Sequence, residues 1–135
     1  MKKVIFASDE WIDCARKELD DLVGLHGEEG INFSLCEVFT DAPKAINPSG
    51  TVSWYFSIEG KTVTVAPGVH DKADVMIRTD YQRVLKQART IYTDEYLAAR
   101  ADDVPGSQFD YAEGDFSLTP SYINELHNRL AQVTE

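Results

Sequence analysis

Hydrophobic positions along this chain recur at two periods, and the switches between them divide it into helices and strands. After Ser8 and Asp9, both good helix N-caps, come Trp11, Ile12, Ala15, Leu19, Leu22 and Val23. Their spacings of three and four make one apolar stripe with charged residues opposite, which predicts a helix from about Asp9 to Val23, closed by Gly24. A glycine-rich turn follows, and "INFSLCEVFT" then alternates. Ile31, Phe33, Leu35 and Phe39 share one face of this strand, and Glu37 breaks the pattern on that same face.

The connection Asp41 to Gly50 carries proline and glycine. Beyond it, Val52 to Ile58 places Val52, Trp54, Phe56 and Ile58 on one face and Ser53, Tyr55 and Ser57 on the other. A tight turn at Glu59-Gly60 leads into Thr62 to Val65, a hairpin pattern. "ADVMIRT" offers a further strand. Thr79 or Asp80 caps a second helix whose stripe runs Tyr81, Val84, Leu85, Ala88, Ile91 and Tyr92, and "DEYLAAR" restarts as a short helix. "FDY" reads as extended and "DFSLT" as the last strand. Thr119-Pro120 opens a final helix, since proline is tolerated at the first helical position. That helix carries Tyr122, Ile123, Leu126, Leu130 and Val133 on one stripe.

Consecutive strands joined by tight turns give an antiparallel meander, and the helices must bury their stripes against one face of it. The expected class is α+β: an antiparallel, roughly five-stranded twisted sheet with helices on one face, forming one domain over residues 1–135.

Composition adds three constraints. With 43% hydrophobic residues in 135, the chain can bury roughly two-thirds of its unfolded surface in a real core. The formal net charge of −10 disfavours nucleic acid and anionic membranes, which reward clustered Lys and Arg. Lys72, Arg78, Arg83, Lys86 and Arg89 nevertheless fall close together, read either as a solvated face or as a basic rim for an anionic head group. Cys14 and Cys36 stand far apart, without a metal-binding spacing, and read as reduced thiols. The start "MKKVIFAS" is too short for a signal peptide, and no segment approaches a membrane span, so a cytoplasmic protein without stable membrane insertion is expected.

Catalytic patterns are sparse. His26, His70 and His127 stand in separate segments, the first two in turn-like stretches and the third on the last helix. No phosphate-cradling glycine loop or nucleophile elbow appears. Acid–base work needs a carboxyl held in an apolar pocket. Glu37 is the candidate, although a carboxylate facing water on an edge strand is the simpler reading. No catalytic residue, metal or cofactor is assigned.

The stretch "WYFSIEGKTVTVAPGVHDKADVMIRT", the helix "DYQRVLKQA" and the end "EGDFSLTPSYINELHNRLAQV" resemble the sterol carrier protein type 2 domain family over roughly Thr51 to Val133. The chain departs from that family at Ala88-Arg89 and at Thr119-Pro120, where the family tends to carry glycine. The resemblance implies an antiparallel sheet with helices over one face and an apolar cavity between. It also implies non-covalent binding of a sterol, fatty acyl chain, acyl-CoA or related lipid, without catalytic residues or a cofactor. The expected cavity lining is Phe33, Trp54, Phe56, Leu85, Ile91, Tyr92, Tyr122 and Leu126, with tyrosine hydroxyls at its mouth. Two rival readings use the same residues. One is a small isomerase, hydratase or lyase acting on a steroid- or terpenoid-like substrate. The other is an interaction module whose aromatic face pairs with a second copy as a homodimer.

Overall fold

In a computed structural model describing residues 2–135, five strands form one sheet. They are Asn32–Thr40 (β1), Val52–Glu59 (β2), Thr62–Pro67 (β3), Val75–Asp80 (β4) and Tyr111–Gly114 (β5), in the order β3-β2-β1-β4-β5. Four helices, Asp9–His26 (α1), Tyr81–Ala88 (α2), Asp94–Ala99 (α3) and Ile123–Val133 (α4), complete the α+β fold. Among the described residues, no helix is long and apolar enough to cross a membrane.

The first three strands form the expected antiparallel meander, with Phe33 opposite Ile58 and Phe56 opposite Val65. Gly60, at φ +63°, makes the β2–β3 turn in the left-handed region that glycine enters without a Cβ penalty. The fourth strand departs from that meander. It crosses back to the free edge of β1 and pairs with it in parallel, Leu35 opposite Val75, so the sheet is mixed rather than wholly antiparallel. Asp74 latches this pairing. It accepts the Ser34 backbone N–H through Oδ2 at 2.8 Å, and its own N–H donates to Ser34 Oγ at 2.9 Å. The aspartate of the "KADV" turn thus fixes the register of the parallel pair.

Several boundaries shift for identifiable reasons. Helix α1 runs through Gly24 to His26, where the Gly27 N–H caps the Val23 carbonyl. Helix α2 ends at Ala88 and leaves Ile91 and Tyr92 outside it. The last strand lies at Tyr111–Gly114. "DFSLT" instead makes a single 3-10 turn, because Asp115 accepts the Ser117 N–H at 2.9 Å and curls the chain. Helix α4 begins at Ile123, so Pro120 precedes it.

The core lies between one face of the sheet and helices α1, α2 and α4. Trp11, Leu19, Leu22 and Val23 descend from α1 onto Phe33, Trp54, Phe56 and Ile58. Arg129 of α4 clamps α1 by binding Glu18 at 2.9 Å and Asp21 at 2.7 Å. The C-terminus is held by the Val4 N–H to Val133 carbonyl bond, 2.7 Å.

One consequence concerns β5. Gly114 has φ +113°, and a Cβ there would lie 1.9 Å from the Asp74 carbonyl oxygen. Gly68 has a similar φ of +108° with nothing within 4 Å. Gly114→Ala is expected to cost about 2–3 kcal/mol and Gly68→Ala about 1 kcal/mol, since only the first adds a backbone clash to strain. Urea midpoints of the two variants check the difference.

Candidate functional site

The helices do not pack flush on the sheet. A hollow of about 280 Å³ remains, open at one side. Its floor is the sheet face carrying Phe33, Leu35, Glu37, Trp54, Phe56, Val75 and Ile77, and its roof comes from α2, α4 and the segment between them. These floor residues come from neighbouring strands, and the alternation of β1, β2 and β4 turns them to the same side. Gln108 and Asn124 line the hollow yet are exposed, and Thr119 is half-buried, which marks a polar rim.

Of the expected lining, Phe33, Trp54, Phe56, Tyr92 and Leu126 face this hollow. The other three do not. Leu85 packs against the core beside it, and Ile91 is exposed because α2 ends before reaching it. Tyr122 lines a separate, more polar groove of about 560 Å³ at the far end of α1, where its ring stacks on His26 at 5.7 Å. Gln108, Asn124 and Thr119 thus give the rim amide and hydroxyl groups, and of the expected tyrosines Tyr92 lines the hollow, half-buried, whereas Tyr122 does not. No residue of the Asp41 to Gly50 connection lines the cavity. The Trp54 face, read as a surface for a second copy, is covered by helices of its own chain.

The basic cluster also stands apart. Lys72, Arg78, Arg83, Lys86 and Arg89 are all exposed, and none lines the hollow. Arg83 pairs with Asp110, and Arg89 Nε donates to the Glu135 carbonyl at 2.7 Å. A basic rim at the cavity is ruled out by this placement.

Glu37 is the main departure from the simple reading of the sequence. Far from lying on an edge, β1 is the middle strand of five, and Glu37 points from it into the hollow. Its side chain lies deep in the protein yet keeps some accessible area, because it faces the cavity. Burial pushes its carboxyl up to about 7, against a downward pull from the Trp54 indole N–H, which donates to Oε1 at 2.9 Å. Among the described residues, Oε2 accepts no hydrogen bond. Trp54→Phe removes the donor and is expected to move the carboxyl pKa above its wild-type value of about 7. A carbon-13 titration of labelled glutamate side chains reads that shift.

Two further polar groups share the wall. The His127 ring stacks on Tyr92 at 3.7 Å, and its Nε2 lies 2.7 Å from the Thr90 carbonyl, to which the N–H donates. Burial holds this imidazole below its ordinary value. Burial likewise pushes Tyr92 up to about 12, and its hydroxyl accepts from Gln87 Nε2 at 2.6 Å. Both are therefore uncharged near neutrality. Among the described residues, no group of three His, Cys, Asp or Glu side chains stands close enough to hold a metal ion. The site is thus an apolar hollow with one carboxyl, one neutral imidazole and one phenol.

No family model matches this chain, and no curated protein matches it.

Proposed function

We propose that this protein binds an apolar small molecule non-covalently in the hollow between its sheet and helices. The resemblance to the sterol carrier protein type 2 domain family belongs to the same proposal. One observation carries the reading: a hollow of about 280 Å³ walled mainly by apolar side chains such as Phe33, Trp54, Phe56, Val75, Ile77 and Leu126, with its polar side chains in the minority. Ligand pockets are typically apolar with a few convergent polar groups and range over roughly 300–1,000 Å³. The volume lies just under that range, which favours a medium-length chain or a one- or two-ring compound over a complete acyl-CoA. Burying roughly 300 Å² of such a ligand at about 25 cal/mol per Å² gives about 7 kcal/mol, near micromolar affinity before ordering costs.

Titration with an uncharged fluorescent apolar probe tests the proposal. Saturable binding is expected, and Ala88→Phe, which drives a ring into the hollow from the end of α2, should weaken it at least tenfold while the protein stays folded. Probe binding that is unaffected by this plug removes the cavity from the account.

Glu37 favours a second reading. A carboxyl held near pH 7 in an apolar site can take a proton from carbon beside a carbonyl and return it to another carbon, with the protonated Tyr92 hydroxyl on the same wall. That reading expects isomerisation of a β,γ-unsaturated ketone, lost in Glu37→Gln while binding persists. Bound ketone that never turns over eliminates it.

A further inference from the structure

The apolar wall accounts for a ligand's body and leaves its polar end to be matched. Of the residues lining the hollow, only Glu37, Tyr92 and His127 titrate, and none is Lys or Arg. Tyr92 and His127 are uncharged near neutrality, and Nε2–H of His127 is committed to the Thr90 carbonyl. The wall's formal charge is therefore zero or negative, according to the state of Glu37 alone. Arg83 and Arg89 are exposed and engaged elsewhere, and Arg100, exposed over the Tyr96 ring at 3.7 Å, lies behind Tyr92 without lining the hollow.

A carboxylate or phosphate head would enter this hollow without a countercharge and beside an acid, where burial of an unpaired charge is most costly. A donor head meets the opposite situation. Glu37 spends one oxygen on the Trp54 indole N–H, at 2.9 Å, and leaves Oε2 with its acceptor capacity unused among the described residues. Because Glu37 lines the cavity and keeps accessible area, and no buried side-chain oxygen lacks a partner among the described residues, that oxygen is reachable from the ligand's side.

We propose that the ligand of this cavity is an apolar alcohol or amine whose O–H or N–H donates to Oε2 of Glu37, and that the site rejects free fatty acids. The proposal rests on the cavity-binding reading and narrows it to a class of head group. It also separates the two donors. An ammonium head requires the ionised carboxylate, so its affinity rises as pH climbs through the Glu37 pKa of about 7. An alcohol donates to Oε2 of the carboxylate and accepts from the O–H of the neutral carboxyl, so it binds both states and its affinity changes less with pH. Among the residues lining the cavity, the other titrating groups, Tyr92 and His127, do not add charge between pH 7 and 8.

The experiment is calorimetry with four ten-carbon compounds kept below their micellar concentrations: decan-1-ol, decylamine, methyl decanoate and decanoate. At pH 8 the alcohol or the amine should bind at least about tenfold more tightly than decanoate, the scale of one hydrogen bond to a charged group. Glu37→Gln keeps an acceptor for the Trp54 indole and removes the charge, so it should shrink that preference to within about threefold, chiefly by improving decanoate binding. Amine affinity that climbs from pH 6 to 8 in wild type but not in Glu37→Gln, which retains His127, identifies the amine arm, and tight decan-1-ol with no such rise identifies the alcohol arm.

Decanoate binding as tightly as both donors in the wild type overturns the proposal without any variant. So does a preference that survives Glu37→Gln in protein whose near-ultraviolet circular dichroism matches wild type. If all four compounds bind alike, the cavity reading stands and the head-group assignment falls. If none binds, both fall.

Discussion

Raising the pH from 4.5 to about 7 should cost this protein about 3 kcal/mol of folding stability relative to its Glu37→Gln variant. The unfolded chain releases the Glu37 proton near the ordinary carboxyl value of 4.5, whereas the folded chain holds it to about 7. Between those values the folded state binds more protons. The stability contributed by Glu37 is therefore greatest below pH 4.5, falls across the window and levels off once both states are ionised. His127 acts in the opposite sense, because burial keeps its folded pKa below the ordinary imidazole value, and the stability it contributes above that value is lost as pH falls. It is present in both proteins and cancels in the difference. Asp110 and Asp115, whose pKa values are lowered by hydrogen bonds, titrate below the window. Urea unfolding at half-unit pH intervals gives the two curves. Convergence of wild type toward, or crossing below, the variant as pH rises is the expected result, and parallel curves would mean that Glu37 ionises in the fold as freely as in water.

That prediction depends on where β1 lies in the sheet, and this was the least legible feature of the chain. Period and turn chemistry are local properties, and they sufficed for most of the local structure, failing at "DFSLT" and at the end of α2. The stripe from Trp11 to Val23 formed a helix, and the alternation from Val52 to Ile58 formed a strand buried on one side. Glu59-Gly60 turned it back on its neighbour. Which edge β4 would join is a long-range choice. It is settled by the Asp74–Ser34 latch and the crossover, neither of which leaves a periodic signal. The parallel pairing put β1 in the middle of the sheet, and Glu37 moved with it from an assumed edge to the cavity wall.

The site was legible to the same extent and for the same reason. Strand positions such as Phe33, Trp54 and Phe56 could be placed because alternation fixes the face a side chain takes. Ile91 and Tyr122 could not, because each lies just beyond a helix end, where one residue of error swings a side chain through about a quarter of a turn. The one available signal for the polar group was the interruption itself. An acid among Phe33, Leu35 and Phe39 must either escape to water or be buried deliberately, and only tertiary structure decides which. His127 gave less warning, since its place on the wall depends on stacking against Tyr92 from a different segment.

The largest loss of stability reachable by one substitution in the cavity wall is expected at Trp11. The indole is 4% exposed and meets Phe6 and Trp54 edge-on, each at 5.0 Å, joining the N-terminal segment, α1 and β2. Its Nε1 also donates to Thr134 Oγ1 at 3.1 Å, which holds the C-terminus against α1. Trp11→Ala removes these ring contacts together and should cost about 3–5 kcal/mol, while Trp11→Phe keeps most of the packing and should lose about 1–2 kcal/mol with the hydrogen bond. Phe39→Ala provides the control. Phe39 is fully buried against Phe6 and Tyr81 and should cost a similar 3–5 kcal/mol, yet it does not line the hollow. Both truncations should therefore lower the urea midpoint alike, but only Trp11→Ala enlarges the cavity. At a temperature where both stay folded, Trp11→Ala should accept a bulkier two-ring probe that wild type and Phe39→Ala bind poorly. Equal probe preference in all three proteins would show that Trp11 supports the fold without shaping the space above the sheet.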